Sequence, residues 1–359
     1  MLIVERRSAD RSFRRMVDPK GHQASSPAEM PARAWKDIAK RTYTRTWDDN
    51  IGLVAAGVAF YAFFALLSLL GLIVLGYGFF ADPITVIEHM RTLIGILPSD
   101  VILLIGDQLM TAVKSSEGTK GLGIVIAGIV ALYGGTNGAA ALLTALNIAY
   151  EEKEKRSLAR FYLIALGMTV AALAAALFAL AATSAVALLQ DWAPLATPAA
   201  VIAGKVVGYV LIALVAAAVA ATLYRYGPSR ENARWKWITP GSAFAAVSWL
   251  LLTLLFGWYV TNLTDYSATY GSLGATVGLL TWLYLSAYVF MIGAELNSEI
   301  EHQTVKDSTT GEARSLGERG AWAADNVAYG DEVQDRPEET REGEKLTQAQ
   351  PELADEQRS

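Results

Sequence analysis

Long stretches of this chain carry no charged side chain. Residues 51–81, 121–150, 161–190, 237–264 and 266–294 are uncharged, and residues 192–224 are interrupted only by Lys205. Each run is about 28–33 residues, whereas roughly 20 suffice to cross the hydrocarbon core as a helix. The surplus tilts or projects into the interface. The runs are continuously apolar and rich in Ala and Leu rather than alternating, which argues against membrane strands and for helices. The pattern predicts an all-α fold, a polytopic membrane helix bundle with about six transmembrane helices. Their expected bounds are 51–80, 121–149, 161–189, 199–224, 238–263 and 272–296, within a transmembrane domain 51–302.

The flanks read differently. Residues 1–34 lack a periodic apolar pattern and are expected to be a disordered basic region. In residues 35–50, Trp35, Ile38, Ala39, Thr42, Tyr43, Thr46 and Trp47 fall on one helical face, with Lys36, Lys40, Arg41 and Arg45 over much of the rest. That is the pattern of an amphipathic helix lying in a membrane interface. Residues 82–120 are too polar to span and are expected to form an external amphipathic cap. Residues 303–359 have few large apolar side chains and about twice as many acids as bases, so a disordered acidic tail is expected there.

Lys and Arg are placed asymmetrically. Residues 1–50 hold eleven and residues 303–359 hold seven, and the connectors after the second and fourth spans are basic. The region 82–120 has three, and the connectors after the third and fifth spans have none. By the positive-inside bias both termini are cytoplasmic. Composition agrees: 53% of the 359 residues are hydrophobic and 18% charged, against about 25% charged in globular chains. There is no cysteine, which excludes disulfides, thiolate nucleophiles and Cys-based metal sites. The three histidines, His22, His89 and His302, form no metal-ligand spacing, and no catalytic constellation, metal site or cofactor motif is expected.

Polar groups inside the membrane are costly and point to function. Lys205, near the external end of the fourth span, either snorkels or lines an outward cavity. Glu295 and Asn297, at the cytoplasmic end of the sixth span, suit pairing with Arg160 or an N-terminal Lys, or a coupling-ion or substrate role. The second span carries GGTNG at 134–138. Gly134 with Gly138, and Gly274 with Gly278, are small-residue pairs that let helices approach. Asn137 is expected to hydrogen-bond across such a contact, the alternative being a broken helix beside a cavity.

Four segments carry a family resemblance. LVAAGVAFYAFFALLSLL, ALLTALNIAYEEKEKR, WITPGSAFAAVSWLLLTLLFGWYV and, most specifically, YSATYGSLGATVGLLTWLYLSAYVFMIGAELNSEIEHQT resemble the YihY/BrkB family of bacterial inner-membrane proteins, over roughly residues 35–305. The later GERGAW resembles alphaproteobacterial members. Members commonly have a proline in mid span one, where Ser68 and Gly71 stand here. The resemblance implies a multi-pass inner-membrane protein, and it implies Tyr61, Asn147, Tyr150, Pro240, Tyr270, Gly271, Trp282, Gly293, Glu295 and Asn297 as family-like positions. Members have carried the names ribonuclease BN and virulence factor BrkB, and some have been tied to envelope lipid export. The reading this supports is a non-enzymatic protein that transports or translocates a lipid or amphipathic envelope substrate. Its partners are membrane lipids and, through the tails, other envelope proteins, with no nucleic acid. A non-transporting scaffold is the alternative, and a ribonuclease is less favoured because the chain lacks a metal or histidine acid–base cluster.

Overall fold

The computed structural model describes residues 20–80, 117–191, 198–262 and 273–328. A 3-10 turn, Pro27–Glu29, precedes α1, Ala32–Asp48. Six long helices follow: α2 Ile51–Phe80, α3 Glu117–Ala149, α4 Leu158–Asp191, α5 Pro198–Tyr226, α6 Trp235–Asn262 and α7 Gly274–His302. The four-residue α8, Trp322–Asp325, comes last. Among the described residues there is no strand, only an isolated antiparallel bridge between Ala233 and Thr309. Windows in α2, α3, α5, α6 and α7 are long and apolar enough to cross a membrane, and α4 adds an apolar stretch over Leu158–Ala174. The shortest of the six, 28 residues, is about 42 Å long at 1.5 Å per residue, more than the ~30 Å hydrocarbon core.

α2 packs along α3, and α7 packs against both α2 and α6. α5 lies along α6, and α4 along α3. The bundle is tightest at one end, where Ile51, Leu146, Tyr150, Tyr224, Ile238 and Met291 are buried together. Towards the other end large apolar side chains such as Leu214, Val215 and Leu255 stay exposed, as a lipid-facing surface requires.

The order extends further than the sequence suggests at both flanks. Ala24, Met30 and Ala34 pack with Ile38, Trp237 and Ile300, so residues 20–34 are part of the fold rather than a disordered head. Residues 303–328 likewise depart from the disordered-tail expectation. They have little apolar surface, and backbone-directed polar bonds hold them instead. Asp325 accepts from the amides of Gly317, Arg319 and Gly320, and Arg319 donates to the carbonyls of Val305, Arg314 and Ala324. The expected cap 82–120 lies almost wholly outside the described residues.

α1 also divides its stripe in two. Ala34, Ile38, Thr42 and Thr46 are buried against α7, while Ala39, Tyr43 and Trp47 turn outward. The outward aromatics, Tyr43 and Trp47, are the part of the expected face that remains free for a membrane interface.

Candidate functional site

Two features stand out, an apolar cavity among the helices and a buried polar network at the tight end of the bundle. The cavity exists because α5 leans on α6 and makes little contact with α2 or α3. The gap is about 610 Å³ and is lined by all of α2, α3, α5, α6 and α7, through side chains such as Val58, Leu142, Val215, Ala246, Leu283 and Phe290. Its one hydroxyl, Ser286, accepts the Trp249 indole N–H at 3.2 Å, so the polar atoms of this wall are turned on each other. The volume falls within the usual range of about 300–1,000 Å³ for small-ligand sites.

The polar network is built on the last turns of α7, where Glu295, Asn297, Glu299 and Glu301 are all buried. Each of these meets a different part of the chain. Glu301 takes Arg230 at 2.6 Å, both side chains wholly buried, and also accepts the Ser308 hydroxyl. The Arg230 guanidinium lies 4.4 Å above the Tyr150 ring. Burial pushes the Tyr150 phenol well above its ordinary range, against the pull of Arg230. Glu299 takes Arg41 at 2.5 Å, with Arg45 at 3.7 Å and His302 at 3.5 Å. Glu295 faces Asp49, the residue that ends α1, and lies near Arg45 rather than near Arg160 as the sequence suggested. Burial raises the Asp49 carboxyl against the attraction of Arg45.

Asn297 serves the helix crossing. Its Oδ1 accepts the Gly241 amide at 2.8 Å, one residue after Pro240, a residue with no N–H to give. Gly241 and Gly293 meet here so closely that a Cβ on Gly241 would overlap the Gly293 carbonyl oxygen. Asn147 is a staple between connectors: its Nδ2 donates to Glu154 and its Oδ1 accepts the Ser229 amide. Glu154 also takes Arg156 at 2.7 Å through both oxygens, and this pairing holds its carboxyl down at about 2.

Glu151 is a less obvious contributor. It sits just past α3 at φ 53°, a left-handed position where glycine is the usual occupant. Its carboxylate takes Arg45 at 2.5 Å, which gives the side chain a reason to be there. Trp322 closes the end of the network. Its amide donates to Glu152 at 2.6 Å, and its ring meets Arg45 at 5.7 Å and His302 at 5.1 Å.

The remaining expected residues are scattered. Trp282 donates to Thr253 at 3.3 Å in the α6–α7 seam. Tyr61 is exposed and stacks edge-on to Phe60. Asn137 is half-buried and makes no side-chain hydrogen bond with a described residue. A Cβ on Gly134 or Gly138 would touch α2, whereas one on Gly278 meets nothing within 4 Å, so the first glycine pair marks a close approach. Tyr270 and the Lys205 side chain lie outside the described residues. Asp49, Arg45, Arg230 and Glu301 were missed as site residues. The one signal in sequence was the pair Asp48–Asp49 at the C-terminal end of a helix, where the macrodipole disfavours negative charge.

Comparison with known proteins gives a consistent picture. The family described as Virulence factor BrkB matches residues 42–316. A Bacillus subtilis (strain 168) protein named as ribonuclease-like is 30% identical over 174 residues, 47% of this chain and 62% of its own. UPF0761 membrane proteins match shorter segments. One from Alkalilimnicola ehrlichii is 46% identical over 14% of this chain and 11% of its own. One from Pseudoalteromonas translucida is 31% identical over 24% of this chain and 28% of its own. The chain thus spans less than two thirds of each of these relatives. No solved structure matches it.

Proposed function

The chain belongs to the virulence factor BrkB family of integral membrane proteins, and on that premise we propose that it translocates a lipid or amphipathic envelope substrate across the bacterial inner membrane. The observation that carries this reading is the cavity of about 610 Å³, whose lining is almost wholly apolar and which has no internal charge to bind a small ion. An acyl chain suits such walls, gaining about 0.8 kcal/mol per methylene withdrawn from water. The cavity ends at Leu223 on α5. Two residues on, the Arg225 guanidinium lies 4.5 Å above the Trp235 ring and 5.3 Å from the Tyr226 ring, and both rings are about half exposed. Arg225 stands about 200° around α5 from Leu223 and so faces away from the slot, at the end of the bundle where a cation would meet anionic headgroups.

Purified protein in liposomes tests this. Fluorescent phospholipid should equilibrate between leaflets, and Val215→Trp, which fills the slot from an exposed position, should abolish movement while leaving the fold intact. Folded wild-type protein that moves no lipid or amphiphile would sink the proposal and favour a scaffold.

A further inference from the structure

Asp49 and Glu295 are 246 positions apart in sequence and come together where α1 packs on α7, for Arg45, one turn before Asp49, lies 3.7 Å from Glu299, one turn after Glu295. Asp49 caps the C-terminus of α1, and Glu295 lies on α7 with only 2% of its surface exposed. Each carboxyl has a buried oxygen, Oδ2 of Asp49 and Oε1 of Glu295, at which no donor is directed. A carboxylate only accepts hydrogen bonds, so two carboxylates have nothing to share, whereas a carboxylic acid and a carboxylate share one proton.

The surrounding charges leave room for that proton. Arg45 and Asp48 approach from α1, Glu151 and the buried Tyr150 phenol from the end of α3 and the loop after it, and Glu299 from α7 itself. The next charges out are Arg41, which binds Glu299 at 2.5 Å, and His302 at 3.5 Å from the same carboxylate. Arg45 binds Glu151 at 2.5 Å. Each guanidinium is therefore committed to another acid. The buried acids Glu295 and Glu299, with Asp49 and Glu151, number four against two guanidinium groups. A proton between Asp49 and Glu295 brings this balance closer to neutral and satisfies both orphaned oxygens.

We propose that Asp49 and Glu295 form a proton-binding site in which one shared proton fastens α1 to α7 at the polar end of the bundle. Loss of the proton places two like charges face to face and releases the C-terminal end of α1. The adjoining chain is the start of α2, where Ile51 and Val54 pack in the core that leads to the cavity wall at Val58. The site is a means of coupling proton binding to access at that end. It stands independently of the substrate, since the proton is held whether or not lipid moves.

The test uses full-length protein in lipid nanodiscs. Infrared difference spectra should show a protonated-carboxyl band that persists at neutral pH and disappears at alkaline pH, and that is lost in both Glu295→Gln and Asp49→Asn. The cysteine-free chain also accepts labels cleanly at Tyr43→Cys and Lys306→Cys, both exposed positions. The distance between spin labels there should grow at alkaline pH in wild type and stay constant in Glu295→Gln, whose amide donates to Asp49 at any pH. If Glu295→Gln does not fold, Asp49→Asn serves as its mirror image. A wild-type protein without the neutral-pH band, a band indifferent to both substitutions, or an equal label movement in Glu295→Gln would each overturn the proposal.

Discussion

Substituting Gly241 by Ala is the sharpest test of how α6 and α7 are held. A Cβ there would stand 2.5 Å from both Cγ and Oδ1 of Asn297 and would overlap the Gly293 carbonyl oxygen. Non-bonded carbon contacts settle near 3.5–4.0 Å, so the helices must separate by about 1 Å. Flexible side chains cannot absorb the shift, because the obstructing atoms include backbone and an Asn anchored at 2.8 Å to the Gly241 amide. Overpacking costs about 1–3 kcal/mol, and losing the buried hydrogen bond costs about 1–3 kcal/mol. Replacing Gly by Ala in a helix returns about 1 kcal/mol. The net is a destabilisation of roughly 1–5 kcal/mol. Gly257 and Gly278 supply the control, since a Cβ at either meets nothing within 4 Å. Alanine at those positions should be neutral or mildly stabilising. Unfolding in detergent, followed by tryptophan fluorescence against denaturant, gives all three numbers. Equal stabilities for Gly241→Ala and Gly257→Ala would refute the close crossing.

Three further outcomes are expected. Arg230→Ala should cost about 3–5 kcal/mol, because it leaves Glu301 buried without its partner. In the same unfolding assay a smaller loss for Arg230→Met paired with Glu301→Leu should show that the penalty comes from the orphaned charge. Glu154, held at about 2 against an ordinary 4.5, contributes stability that is present above pH 4.5 and is lost as the pH falls through about 2. Glu154→Gln should flatten the acid limb of a thermal-midpoint profile in that window, and an unchanged limb would contradict the pairing. Asn147→Ala should loosen the two connectors it staples. Faster amide exchange at Ser229, whose N–H it holds at 2.7 Å, should follow without loss of the helical circular dichroism.

The long helices were legible because burial in lipid removes charge from whole runs, and a run needs no partner to be recognised. The site was less legible for the opposite reason. Glu295 could be singled out as a costly intramembrane acid, but its partner Asp49 comes from a different helix, and nothing local in the sequence links them. Glycine spacing was a partial guide, for Gly134 and Gly138 do face α2 closely. The pair Gly274–Gly278 has the expected spacing and no close neighbour at Gly278, while Gly241 and Gly293, on separate helices, meet backbone to backbone. The order of residues 303–328 escaped notice because composition predicts hydrophobic burial, whereas this segment is held by Asp325, Asp307 and Arg319 on backbone groups.

The two described ends of the chain meet at the polar face. The Val305 amide donates to the His22 carbonyl at 2.8 Å, Gln303 reaches the Lys20 carbonyl at 2.7 Å, and Thr304 reaches that of Ala24 at 2.7 Å. This closure imposes an order on biogenesis. Residues 20–24 leave the ribosome early, and their partners follow some 280 positions later. At about 5–20 residues per second that is a wait on the order of 15–60 s. Throughout it, the head of the protein and the acid-rich end of the growing bundle stay unsealed in the translating complex. α7 and the segment beyond it therefore act as the latch of assembly. A nascent chain arrested before residue 303 would hold inserted helices with an open polar end, a species that quality-control proteases could tell from the finished molecule.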